Sequence, residues 1–165
     1  MKLYHGSLEI VEKPEIRKAN RTLDYGSGFY TTTSYEQAEA WVKRRMDEAK
    51  MAKGYVNVYN IPEVFPSTLR QLIFQSPTEE WVDFVMRNRT EKSFVHDYDI
   101  VYGPVANDRV YAAFALYEGG LLNKQDLIKE LKAYKLVDQY LFHTDAALQT
   151  LIFVEVKEVS LRTLT

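Results

Sequence analysis

The order in which strand-like and helix-like segments follow one another is what most constrains this chain. Two short runs of strand character, KLYHGS and GFYTT, precede the first segment with helical periodicity. That segment, SYEQAEAWVKRRMDEAKM, opens with Ser34, a natural N-cap, and has Gln37 where a capping box closes. Ala38, Trp41, Val42, Arg45, Met46 and Ala49 recur at helical spacing, and the charged KRRMDEAK stretch reads as the solvated side. YVNVYNI reads as a third strand. PSTLRQLIF reads as a short helix begun by Ser67, and SPTEEWVDFVMRNR as another, capped by Ser76, with Pro77 in its first turn and Trp81, Phe84 and Val85 as its buried stripe. DIVYGPV is a strand broken at Gly103 and Pro104, and NDRVYAAFALYEGG is a helix that stops at its glycine pair. NKQDLIKELKAYKL is a helix capped by Asn123, and QYLFHT and LIFVEVKEV are the last two strands. Strands and helices do not alternate as a doubly wound sheet requires, so the class is mixed α+β.

With 165 residues and no low-complexity linker, the chain is expected to form one domain over residues 1–165. A net charge of −2 argues against broad electrostatic capture of nucleic acid or an acidic membrane. The absence of cysteine excludes disulfides and cysteine-ligated zinc and fits a reducing compartment. No apolar run reaches the roughly 18 residues a membrane helix needs, and no signal peptide opens the chain, so a cytoplasmic protein without membrane contact is expected. The unusual component is aromatic: 12 Tyr and 8 Phe, enough to furnish both a core and a pocket.

Few residues carry the chemistry of a site by themselves. His5, His96 and His143 lie far apart and form no His-x-x-x-His pair, so no metal site is expected. Ser7 lacks the strand-turn-helix setting of a hydrolase nucleophile. Gly26 and Gly28 make half of a dinucleotide fingerprint, without the third glycine and with a strand rather than a helix following. Each has a plain structural reading: His5 as a satisfied histidine at a strand end, the glycines as a turn, Trp41 as core. In QYLFHT, residues 139, 141 and 143 point one way, so His143 either shares a face with Gln139 or anchors the strand's end. Asn107 and Asp108 suit a helix cap, with substrate contact as the alternative.

Taken together, LYHGS and DYGSGFYTT resemble the first two signatures of the diphtheria-toxin-like ADP-ribosyltransferases, the group that includes the poly-ADP-ribose polymerases. In that group the first strand carries His-Gly-Ser/Thr, matched by His5, Gly6 and Ser7, and the second signature is Gly-x-Gly-aliphatic-Tyr-Phe, matched by Gly26 to Tyr30. The third is a strand opened by glutamate, where QYLFHT has Gln139. A closer resemblance, carried by LYHGS, YGSGFYTT, DIVYGPVANDRVY and DQYLFHT, is to a bacterial family of uncharacterised domains within this superfamily.

The resemblance implies a split mixed β-sheet core with flanking helices. It implies NAD as co-substrate and no metal. By it, Tyr30 stacks on the nicotinamide ring and Trp41, eleven positions on, is the second stacking aromatic, an arrangement that suits a planar, electron-poor ring. Gly6 meets the carboxamide through its backbone, with Ser7 in support and Gly28 shaping the approach. His5 hydrogen-bonds the adenosine-side ribose. Ala38 stands where related polymerases have a further serine. The implied reaction displaces nicotinamide at the anomeric carbon and transfers ADP-ribose to an acceptor that is a protein, a nucleic acid, a small molecule or water. The expected catalytic set is His5, Tyr30 and Gln139. Glutamine can hold a ribose hydroxyl but brings no negative charge and no general base. Two alternatives therefore stand beside a toxin-like transferase: a silent NAD or ADP-ribose binding module, and one half of a toxin–antitoxin pair.

Overall fold

The computed structural model describes residues 1–17, 23–104, 108–133 and 137–160, with only the helical backbone described for 108–111. Seven strands and five helices follow in the order β1 (Lys2–Ser7), β2 (Phe29–Thr32), α1 (Tyr35–Ala49), β3 (Lys53–Asn60), β4 (Gln71–Ile73), α2 (Glu79–Thr90), β5 (Ile100–Pro104), α3 (Asp108–Glu118), α4 (Lys124–Ala133), β6 (Asp138–Phe142), α5 (Asp145–Leu148) and β7 (Ile152–Ser160). The strands form one mixed sheet in the order β4-β5-β6-β2-β1-β3-β7, parallel between β4 and β5 and antiparallel elsewhere. The α+β mixed-sheet class expected from the sequence is the class observed.

Pleating assigns the side chains to two faces. Tyr4 lies opposite Thr32, and Thr32 opposite Gln139, so Tyr4, Gly6, Tyr30, Thr32, Gln139 and Leu141 share what we call the front face. Leu3, His5, Phe29, Tyr140 and Phe142 point to the back. At one end of the front, α1 packs Ala38, Val42 and Met46, spaced four apart, against Val56 and Val159. At the other end, Trp81, Val82 and Val85 of α2, Phe114 of α3, and Leu127 and Leu131 of α4 bury Val101, Leu141 and Tyr25. On the back, Leu3, Phe29, Tyr59, Phe65, Ile100 and Phe142 pack with Ala147 and Leu148 of α5. Whereas β1 pairs with β3 from Lys2–Asn60 to Ser7–Tyr55, its register with β2 is the single pair Tyr4–Thr32. The sheet is continuous but narrowest at this junction.

Local signals act largely as read. The Ser34 hydroxyl accepts the Gln37 N–H, although the Ser34 N–H goes to Thr32 Oγ1 and so does not depend on Gln37. Asn123 Oδ1 accepts the Asp126 N–H. Four expectations need correction. PSTLRQLIF is a turn followed by β4, because Asp99 takes the Arg70 N–H and β5 offers a pairing edge. The cap of α2 is Thr78, whose hydroxyl accepts the Trp81 N–H, two residues beyond Ser76. The strand β5 runs through Gly103 to Pro104, and Gly103 pairs with Gln139. The short helix α5, capped by Thr144, lies between β6 and β7. Asn107 and the Asp108 side chain lie outside the described residues.

Candidate functional site

The tyrosine after the two glycines closes their turn. Gly26 takes a φ of +83°, a conformation that favours glycine. The Tyr30 hydroxyl folds back over the turn, donating to the Gly26 carbonyl at 2.5 Å and accepting the Tyr25 N–H at 3.0 Å. At Gly28, φ +147°, a Cβ would sit 2.5 Å from the Phe142 carbonyl oxygen and 2.6 Å from Leu141 Cδ1. What the backbone approaches at Gly28 is therefore the end of β6. Gly6 is similarly pressed against α1: a Cβ there would lie 2.6 Å from both the Ala38 carbonyl and Val42 Cγ2, and 3.3 Å from Trp41 Cδ1. This contact puts the Trp41 indole beside Gly6. Trp41 is 40% exposed, so it is not a core residue as its periodicity alone allows.

Tyr30 and Gln139 come from adjacent strands on the same face, two positions apart in register. Gln139 is only 8% exposed, and its Nε2 makes a long 3.5 Å contact to the Pro104 carbonyl. Beneath it lies Tyr25, fully buried and bonded at every polar atom. The Tyr25 hydroxyl donates to the Pro104 carbonyl (2.9 Å), the same carbonyl that Gln139 approaches, and accepts the Trp81 Nε1–H (2.7 Å). Burial pushes the Tyr25 phenol well above its ordinary range, so it stays protonated. The close passage of Tyr25 is also why residue 103 is glycine, since a side chain there would meet the phenol oxygen.

His5 points to the back face, its ring stacked on Phe29 with centroids 4.1 Å apart. Its Nδ1 lies 2.6 Å from the Tyr30 carbonyl. A carbonyl only accepts, so Nδ1 carries the proton and Nε2 is left as an acceptor. Burial lowers the His5 pKa to about 4, partly countered by the bond to Tyr30 and reinforced by Arg17. His5 is therefore neutral at pH 7. Ser7 accepts the Glu9 N–H in a local turn. The fully buried Asn57, opposite His5, pins the segment after β1 by donating to the His5 and Glu9 carbonyls and accepting the Val11 N–H.

The remaining histidines meet the same turn. His96 Nε2 donates to the Tyr25 carbonyl at 2.7 Å, and His143 Nδ1 to the Ser27 carbonyl at 2.6 Å. His143 follows the end of β6 rather than extending it, and its bond to the Ser27 carbonyl anchors the strand's end. Tyr25 and Asn57, the hydrogen bond given by the Trp81 indole, and the meeting of His96 and His143 at one turn were not read from the sequence, and no local pattern marks them. Among the described residues no group of three or more His, Asp or Glu is placed to hold a metal ion.

The fold and site define an α+β protein whose mixed sheet carries a half-buried tyrosine and a buried glutamine on one face, beside a helix that presents a tryptophan. The chain belongs to the family described as protein of unknown function (DUF3990), whose model matches residues 1–153. No curated protein gives a significant match. No helix among the described residues is long and apolar enough to cross a membrane.

Proposed function

We propose that the protein binds NAD on the front face and acts as an ADP-ribosyltransferase of the diphtheria-toxin-like kind. The observation that carries this reading is the convergence of three distant signatures. Gly6 with Trp41 beside it, Tyr30 and Gln139 lie on one face of the sheet, around its narrow β1–β2 junction. In this reading the nicotinamide ring lies between Tyr30 and Trp41, whose partial exposure leaves aromatic surface for a ligand. His5 lies on the other side of β2, stacked on Phe29, and serves the site through the strand rather than by touching the ligand. Its Nδ1–H fixes the strand that carries Tyr30. With the Gln139 amide nitrogen directed at Pro104, Oε1 is the atom that would accept from the ribose 2′-hydroxyl.

The reaction breaks the bond between the anomeric carbon and the nicotinamide nitrogen. The electron pair leaves with nicotinamide, and the acceptor's lone pair forms the new bond as it loses its proton. Positive charge develops on the ribose, where a carboxylate would stabilise it. Gln139 supplies only a dipole, and its burial and bond to Pro104 favour a second reading, an NAD or ADP-ribose binding module with little turnover.

Thermal unfolding with and without NAD tests binding. A ligand at about 100 times its dissociation constant adds roughly 2.7 kcal/mol of stability. A rise in Tm that Trp41→Ala abolishes supports the site, and an unchanged Tm in millimolar NAD rejects both readings. Release of free nicotinamide by the parent, lowered in Gln139→Ala, separates the transferase from the silent module.

A further inference from the structure

All three histidines of the chain donate a ring N–H to a backbone carbonyl within residues 25–30, the turn that ends in Tyr30. Two of them, His96 and His143, form a unit. Their rings lie 4.1 Å apart at an interplanar angle of 39°. They reach the turn from different elements, His96 from the segment before β5 and His143 from the end of β6. His96 is buried, and its Nδ1 accepts the Tyr98 N–H at 3.2 Å, which fixes its proton on the Nε2 that faces Tyr25. His143 is held by its own N–H to the Asp99 carbonyl (2.8 Å), and Asp99 also accepts from Thr144 and from the Arg70 N–H. The imidazoles are thus fixed before they meet the turn. The turn has no helix or sheet partner for these carbonyls until β2 begins at Phe29. Gly26 passes so close to the pair that a Cβ there would lie 3.3 Å from His96 Nε2.

We propose that His96 and His143 are positioning residues that set the Tyr25–Tyr30 turn, and through it the ring of Tyr30, by donating to the Tyr25 and Ser27 carbonyls. The Tyr30 hydroxyl is tied to the same segment at two points, the Tyr25 N–H and the Gly26 carbonyl. Losing a donor frees the turn and lets the ring leave its place. The ligand part of this inference rests on the reading of Tyr30 as an NAD contact; the part concerning the turn does not.

The half-buried His143 is the residue to change first. His143→Ala removes the donor, whereas His143→Asn keeps an amide N–H where Nδ1 was. Two readouts apply to each variant: amide hydrogen exchange at Tyr25 and Gly26, measured against Val56 and Val58 in β3, and NAD affinity by calorimetry. Loss of one hydrogen bond is worth about tenfold in an equilibrium. His143→Ala is expected to speed exchange at Tyr25 and Gly26 by about tenfold over the β3 reference and to weaken NAD by a similar factor. His143→Asn is expected to restore both. Unchanged exchange in His143→Ala, or no restoration in His143→Asn, overturns the role of the histidine. Faster exchange with unchanged NAD affinity overturns positioning of the ligand contact. If the parent binds no NAD, the proposed function fails, and the exchange difference alone decides whether the histidines hold the turn.

Discussion

Replacing His5 by asparagine isolates the contribution of one half-buried, desolvated imidazole to the pH dependence of stability. In the folded chain its pKa is lowered from 6.5 to about 4, chiefly by burial. A displacement of that size corresponds to roughly 3 kcal/mol. The sign follows from which state takes the proton first. Between pH 6.5 and 4 the unfolded chain binds a proton at His5 and the folded chain does not, so acid favours unfolding. The contribution is complete above about pH 6.5, is lost as the pH falls, and levels off near pH 4, where the folded imidazole also protonates. Asparagine keeps an N–H for the Tyr30 carbonyl and cannot titrate. Urea unfolding of parent and His5→Asn at several pH values from 7.5 to 4 gives the test, because carboxylates and the other histidines cancel in the difference between the two. The parent is expected to lose roughly 3 kcal/mol more than the variant across this window, a large part of a typical domain stability of about 5–15 kcal/mol. Parallel pH profiles would falsify the assignment of His5 as a desolvated, neutral imidazole.

Gly6→Ala drives a methyl into the Ala38 carbonyl and Val42, so calorimetry should show a loss of about 1–3 kcal/mol even without ligand. Tyr25→Phe leaves the buried Trp81 Nε1–H without its acceptor and should cost about 1–3 kcal/mol in urea. In the Trp81→Phe background the same change should cost measurably less. By shape alone Gln139→Glu is a mild change, but it sets a carboxylate against the Pro104 carbonyl in a buried place. Burial there raises the carboxyl pKa, so the variant should fall further below the parent as the pH rises from 4 to 7. Equal stability of parent and variant across that range would show that Tyr25 or water accommodates the charge.

Local signals were for the most part legible. Caps such as Ser34 and Asn123, the four-residue spacing of Ala38, Val42 and Met46, and the alternation in QYLFHT act over one or two turns of chain and leave their mark in adjacent residues. They suffice for the α+β class and for placing Gln139 and Tyr140 on opposite faces. The α2 cap, Thr78 rather than Ser76, was a local choice between neighbouring hydroxyls, and the other failures come from contacts between distant segments. Residues 71–73 become a strand because β5 lies alongside, and a partner nearly thirty residues away is not written into PSTLRQLIF. The glycines at 6 and 28 were legible as glycines, but only the packed structure shows that α1 and β6 are what approach them. The histidines are the extreme case. Their bonds to the turn span 25, 71 and 116 residues, and they depend on a strand order that sets β1 and β6 on either side of β2 and the start of β5 beside the end of β6. The sequence by itself determined which segments would be helix or strand where short-range hydrogen bonds and periodicity decide. The tertiary structure alone decided which polar groups would face one another, because that choice belongs to contacts between segments that are neighbours only in space.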